Sequence, residues 1–340
     1  MLNDFSFKKS LLHLSLGLSL GLMGIASAGD LTVYSSLEDD EIADILKVAK
    51  ADLPGINLNV LRLSTGDLGA RILAEKEAPK HDLIWGWALT NMSNPKITAM
   101  IEPYKAKGVD NIADKFKSKD NLWFAPTGYM AAFCVNTDRL KKKGLPMPSS
   151  WDDLLNPVYK GELIMPNPNS SGTGYLQIAS ILQDRGDEKG WEYLKKLDPN
   201  MGQYIKSGSK PCKLTRAGEY SVGASFAFIA MKSIKKGYPI KMVIPSEGSG
   251  FELEANALMK SSKNKADAKK FLDWTLSEAA GVEYSKFKAI VATPGAKPSA
   301  DALAAGLPAD VSSVLFDLDF EKSAKERDGI LKKWKKTLER

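Results

Sequence analysis

The sequence predicts an α/β fold of two lobes, with the chain crossing between them twice and a ligand held in the cleft. Three observations carry this expectation. Short apolar runs alternate with segments of helical periodicity, the pattern of sheets covered by helices. The first runs follow a β-α-β-α-β order, which calls for a parallel sheet with crossover helices. Late apolar runs then lead back towards the first set after a second set has been completed.

Taken in order, LTVYSS (31–36) reads as a strand. EDDEIADILKVAKADL follows as a helix with Ile42, Ile45, Leu46 and Ala49 on one face. INLNVLRLS (56–64) is the second strand, GDLGARILAEKEA its helix, and DLIWGW (82–87) the third strand. YMAAFCVN (129–136) starts the second set. After the linker KKKGLPMPSSW, Ser149 or Ser150 caps a short helix, WDDLL. ELIMPN (162–167) is a strand, PNPNSSGTGYLQIASIL leads into an amphipathic helix, and EKGWEYLKKLDP is helical. GQYIKSGSKPC is expected to be extended, and SVGASFAFIAMKSIKKG to be strand then helix. IKMVIPSEG and FELEANALMK read as returning strands, and KADAKKFLDWTLSEAAGVEYSKF as one long helix. Ile330, Leu331, Trp334 and Leu338 recur at helical spacing in a lysine-rich tail that packs on the body.

Lys8 and Lys9 precede an apolar run that ends in Ala26-Ser27-Ala28, the layout of a cleavable secretory leader. The run is too short and too rich in Gly and Ser for a comfortable membrane span. A periplasmic or secreted chain of 312 residues is therefore expected, with a net charge of +5 because the leader itself carries +1. Boundaries follow: leader 1–28, first lobe 29–127 and 246–295, second lobe 128–245, and C-terminal helices 296–340.

The charge is mildly basic and mixed along the chain, which gives no support for nucleic acid binding and suits a small anion. Cys134 and Cys212 are the two cysteines, and in an oxidising compartment they most simply form one disulfide. A thiol or metal pair is the weaker alternative, because the mature chain keeps one histidine, His81. That scarcity excludes a Cys/His zinc cluster and disfavours a Ser-His-Asp site. His81 itself, in APKHDLIWG, is expected at the surface. No metal or cofactor is expected.

In open α/β sheets, ligands lie beyond the carboxyl ends of strands, where loops enter helices. Three loops qualify: SSLEDD, STGD and NSSGTG. Each carries hydroxyls and begins a helix, whose first N–H groups lack internal partners and whose dipole favours an anion. One such loop is an ordinary cap; three suggest convergence on one small anion.

These stretches together resemble the substrate-binding proteins of bacterial ABC importers. They are most similar to the 2-aminoethylphosphonate-binding proteins of the iron/thiamine/putrescine-type group. The resemblance rests on LTVYSSLEDDEI, STGDLGARILAEK, DLIWGWA, AAFCVNTD, SSWDDLLNPVYKGELIMPNPNSSGTGYL, GSKPCKLTRAGEYSVGASF and LEANALMK. It implies the type II periplasmic binding protein fold, lobe closure on a ligand, a Cys134–Cys212 disulfide and delivery to membrane permease subunits by a monomer. GASFAFIAMK lacks the tyrosine pair that ferric-ion-binding relatives use, so iron is disfavoured. Trp87 in WGWALTN departs from the smaller residues of the pattern and would narrow the pocket.

A phosphonate needs several O–H and N–H donors. Ser36, Ser64, Thr65 and Gly66 are the candidates from one lobe, and Ser170, Ser171, Gly172, Thr173 and Ser207 from the other. Ser64 and Ser170 could equally be plain caps. The ligand's ammonium needs a carboxylate, for which Glu38, Asp39 and Glu254 are the candidates. Asp39 would also serve the first turn of its helix, and Glu254 could pair with a structural arginine instead. Trp85, Tyr129 and Phe226 would line the spacer or stack on the ammonium. Other phosphorylated anions, such as phosphoglycerate, would use the hydroxyl loops equally well. A secreted phosphatase-like hydrolase would need a base or metal beside a loop serine, and one mature histidine weighs against it.

Overall fold

The computed structural model describes residues 29–338. The expected leader lies outside them. The first lobe opens with β1 (Gly29–Ser35), α1 (Asp39–Asp52), β2 (Ile56–Arg62), α2 (Thr65–Ala74) and β3 (Leu83–Ala88), then the short α3 (Leu89–Met92), α4 (Pro95–Thr98) and β4 (Ile101–Glu102). The long β5 (Phe124–Asn136) leads to α5 (Thr137–Lys143), β6 (Leu163–Pro166), α6 (Gly172–Arg185), α7 (Asp187–Leu197) and β7 (Met201–Ile205). Next come α8 (Lys210–Arg216), β8 (Val222–Phe226), α9 (Ala227–Lys235) and β9 (Ile240–Val243). β10 (Phe251–Met259), α10 (Lys265–Trp274), α11 (Glu278–Tyr284), β11 (Ile290–Val291), α12 (Ala300–Ala304) and α13 (Phe320–Thr337) complete the chain.

The strands run in the order β2-β1-β3-β10-β5-β8-β6-β7. β1 pairs in parallel with both β2 and β3, as the β-α-β-α-β order requires. β10 is antiparallel to β3 and to the first half of β5. The second half of β5 pairs instead with β8 and β9, so this strand belongs to both sheets and carries the chain across. The return passes beside it: the Ala131 N–H donates to Gly250 O at 2.8 Å and the Ser249 hydroxyl to Ala131 O at 2.6 Å. Two antiparallel crossings thus lie side by side between the sheets.

Each sheet packs its own core. Leu31, Val33, Trp85, Leu253 and Phe271 are fully buried in one, and Phe133, Tyr159, Tyr175, Ile178 and Trp334 in the other. The second core includes Ile330, Trp334 and Leu338 of the lysine-rich tail, and Tyr204 meets Trp334 edge-on at 4.9 Å. Cys134 of β5 and Cys212 of α8 form a disulfide with Cα atoms 5.3 Å apart.

Three local expectations are corrected. The single long helix from 265 is two, because Thr275 turns its hydroxyl back onto Leu272 O and Ser277 caps a new helix by accepting from the Ala280 N–H. The extended segment 202–212 ends at Ile205, and α8 starts at Lys210 with Pro211 in its first turn, where a missing N–H costs nothing. His81 is 2% exposed rather than at the surface; its ring stacks on Tyr34 with centroids 4.1 Å apart.

Candidate functional site

The cleft between the sheets is lined by Ser36, Leu37, Glu38, Glu41, Arg62, Ser64, Thr65, Tyr129, Ser171, Gly172, Thr173, Gly208, Phe226, Glu254 and Lys288. It lies where the loops after β1, β2 and β6 meet the helices that follow them. Ten of the fifteen residues expected from sequence are brought together here: Ser36, Glu38, Ser64, Thr65, Tyr129, Ser171, Gly172, Thr173, Phe226 and Glu254.

At one end, hydroxyls surround two glycines. A methyl group on Gly172 would lie 2.7 Å from Thr65 Oγ1 and 3.0 Å from the Tyr129 hydroxyl. One on Gly208 would lie 2.5 Å from Thr173 Oγ1 and 3.0 Å from Ser171 Oγ. Only glycine lets these side chains approach the backbone so closely. Tyr129 hydrogen-bonds with Thr173, and burial raises its phenol well above the ordinary range, so it stays a neutral donor. Ser225 donates to Gly208 O at 2.8 Å and fixes that loop from behind.

The N-termini of α2 and α6 point into this cluster from opposite lobes. Ser171 caps α6 by accepting from the Gly174 N–H at 3.2 Å, whereas Ser64 at the start of α2 makes no cap bond. Trp87 does not narrow the cleft. It is fully buried, and its indole donates to Thr65 O at 3.0 Å, which holds the α2 loop in place.

The other end is charged. Arg62 donates through Nη2 to Glu38 at 2.9 Å and through Nε to Leu37 O at 2.9 Å. Lys288 sits between Glu41 at 2.6 Å and Glu254 at 2.7 Å, all three nearly inaccessible to water. Glu254 also accepts from the Thr127 hydroxyl at 2.6 Å. Its partner is thus a lysine and not an arginine. Burial pushes the Glu41 carboxyl up to about 7, opposed by Lys288 and reinforced by Glu254. Burial would lower Lys288, but Glu254 and Glu41 together hold it above the ordinary lysine value. A buried charge is stable only when paired in this way.

Five expected residues stand elsewhere. Trp85 is buried in the first core, its indole donating to the Tyr284 hydroxyl at 3.3 Å, because β3 is covered on both faces. Asp39 is exposed in the first turn of α1, where the helix dipole accounts for it. Gly66 and Ser170 are spent on contact between the lobes: the Gly66 N–H donates to Ser170 O at 2.9 Å. Ser207 pairs with Ser209 at 3.1 Å. Conversely, Leu37, Glu41, Arg62, Gly208 and Lys288 line the cleft without having been singled out. The position of Arg62 at the carboxyl end of β2 could have marked it; Lys288 has no local signal.

Further polar contacts cross the cleft. Lys206 reaches Asp67 at 2.8 Å, Lys213 reaches Glu38 at 3.3 Å, and Lys232 pairs with Asp40. Among the described residues no group of three or more His, Cys, Asp or Glu side chains is placed to hold a metal ion. The arrangement suits a small solute with an oxyanion at the hydroxyl end and polar groups at the other.

Residues 90–311 match the family of bacterial extracellular solute-binding proteins. An uncharacterized protein of Haemophilus influenzae is 33% identical over 282 residues, which is 81% of each chain. A probable ABC transporter periplasmic-binding protein of Sinorhizobium fredii, y4fP, is 25% identical over 73% of this chain and 70% of its own. Among solved structures, the periplasmic binding protein AfuA of Actinobacillus pleuropneumoniae, with exogenous fructose-6-phosphate bound, superposes with a TM-score of 0.84. It is 33% identical, over 92% of this chain and 99% of AfuA. The fold is that of type II periplasmic binding proteins. The chain belongs to the bacterial extracellular solute-binding proteins, as a periplasmic solute-binding component of the ABC importer type.

Proposed function

We propose that the protein captures a small phosphonate or phosphate ester in the cleft, with 2-aminoethylphosphonate as the first candidate, and hands it to its importer's permease subunits. The observation that carries this reading is the convergence of Thr65, Ser171, Thr173 and Tyr129 on Gly172 and Gly208, with two helix N-termini from opposite lobes. Such a set supplies O–H and N–H donors to the tetrahedral oxygens of a dianion without needing a cation in direct contact.

The tail is read from the far end. The lining holds three carboxylates, Glu38, Glu41 and Glu254; Arg62 and Lys213 pair with the first, and Lys288 lies between the other two. An ammonium group on the solute competes with these cations for Glu38 or Glu254, and Phe226 and Tyr129 supply the apolar wall beside a short spacer. Ligand contacts to both lobes then stabilise the closed state over the open one.

A sugar phosphate is the second reading, because AfuA was solved with fructose-6-phosphate and because carboxylates already held by Lys288 and Arg62 accept well from hydroxyls. Calorimetric titration of ligand-stripped protein with 2-aminoethylphosphonate, fructose-6-phosphate and 3-phosphoglycerate separates the tails. Tight one-to-one binding of the aminophosphonate alone supports the first reading. Preference for the sugar phosphate supports the second and removes the ammonium site.

A further inference from the structure

The C-terminal helix contributes a charge that the proposed anion site otherwise lacks. Arg327 of α13 lies with its guanidinium over the Tyr175 ring, 5.1 Å from the centroid. Its Nε and Nη2 are buried and have no hydrogen-bond partner among the described residues. The helix is fixed there from several sides. Tyr175 donates to Ser323 O, Gln183 donates to Ser323 Oγ at 2.8 Å, and Phe320 meets Phe251 edge-on at 5.1 Å.

Tyr175 belongs to the first turn of α6, the helix that Ser171 caps and Gly172 and Thr173 begin. The guanidinium also acts electrostatically on Tyr129, whose hydroxyl reaches the same cluster. Asp328, next to it on α13, and then Glu252, the cross-strand neighbour of Tyr129, act on it electrostatically; Glu252 itself accepts from the Thr90 hydroxyl and the Leu253 N–H. Burial raises Glu252 to about 7, so its negative charge is only partly present at neutral pH. Glu326 and Asp328, on either side of Arg327, lie at the exposed surface of α13. Two orphaned buried donors on a charged group are costly and call for an explanation.

We infer that Arg327 supplies, from behind the hydroxyl wall, the positive charge that favours a dianionic head group in the cleft. The inference rests on the phosphonate or phosphate reading above and adds α13 to the binding site. The charge acts through Tyr175 and Tyr129 without touching the ligand, so it sets preference for negative charge and leaves the tail unselected.

The test is calorimetric titration of wild type, Arg327→Gln, Arg327→Lys and Glu252→Gln with inorganic phosphate, 2-aminoethylphosphonate and fructose-6-phosphate, alongside ligand-free melting curves. Arg327→Gln should weaken every probe that wild type binds by about tenfold, the effect of a unit charge acting through a partly screened interior. Its ligand-free melting temperature should hold or rise, since a charged group with two unpaired buried donors is removed. Arg327→Lys should retain most of the affinity, and Glu252→Gln should tighten binding at pH 8. Unchanged affinity in Arg327→Gln, or equal losses in the Gln and Lys variants with lowered melting temperatures, would overturn the inference. If Arg327→Gln does not fold, Glu252→Gln decides, and unchanged or weaker binding there counts against it. Wild type that ignores all three probes removes the proposed function and this inference together, whereas wild-type binding untouched by the variants removes this inference alone.

Discussion

At Gly172 the hydroxyls of Thr65 and Tyr129 crowd the backbone. Gly172→Ala places a methyl 2.7 Å from Thr65 Oγ1 and 3.0 Å from the Tyr129 hydroxyl. Both must shift for the cleft to close, so affinity for the preferred phosphate should fall at least about tenfold by titration, while the ligand-free melting temperature changes little. His81 gives a residue-scale prediction on stability. Burial lowers its pKa from 6.5 to about 4, and neither ring nitrogen has a hydrogen-bond partner among the described residues. The unfolded chain therefore takes up a proton before the folded one does. Stability due to the neutral ring is complete above 6.5 and lost as pH falls towards 4, on the order of 3 kcal/mol. His81→Phe keeps the stack on Tyr34 and lacks the titration. The gap in denaturation free energy between variant and wild type should shift in the variant's favour between pH 6.5 and 4, and a pH-independent gap would refute this. The hydroxyl residues were legible because loop position and residue type sufficed. Lys288 was not, since its pairing with Glu41 and Glu254 exists only after distant segments meet.

Elements were read well where a period and a cap agreed. The β1-α1-β2-α2-β3 unit follows from alternating periods, and a hydroxyl of the NSSGTG loop, Ser171, caps α6. The break between α10 and α11 was missed because apolar periodicity continues through it; Thr275 and Ser277 form it by side-chain bonds to backbone, which competes with helix locally. Segment 206–209 misled for the opposite reason, because a Gly/Ser run hides the helix start that Pro211 marks. The Cys134–Cys212 link joins β5 to α8 across 78 residues. Closing a loop of that length constrains the unfolded chain by about 4 kcal/mol. The double variant Cys134→Ala/Cys212→Ala should unfold at correspondingly lower denaturant, and an unchanged midpoint would show that the strands hold α8 without it.

At the scale of the molecule, the two lobes touch through backbone as well as side chains. A methyl on Gly66 would lie 2.1 Å from Asn169 O, so Gly66→Ala should hold the lobes apart. Solution scattering would then show no decrease in radius of gyration on adding a ligand that compacts the wild type; equal compaction in both would refute a closure contact at Gly66. The exposed Lys206–Asp67 pair should matter far less, since surface ion pairs contribute little. The two-lobed plan was legible because each lobe repeats a local pattern. The ion pairs that fill the charged end of the cleft were not, because Lys288 meets Glu41 and Glu254 only once segments far apart in the chain have folded together. Whether the cleft selects a phosphorus oxyanion is measured most directly by paired titration of the ligand-stripped protein with 2-aminoethylphosphonate against ethanolamine, and fructose-6-phosphate against fructose. One-to-one binding is expected in at least one pair by the phosphorus compound and none by its counterpart. Equal binding within a pair, or silence towards both phosphorus compounds, would contradict such selection.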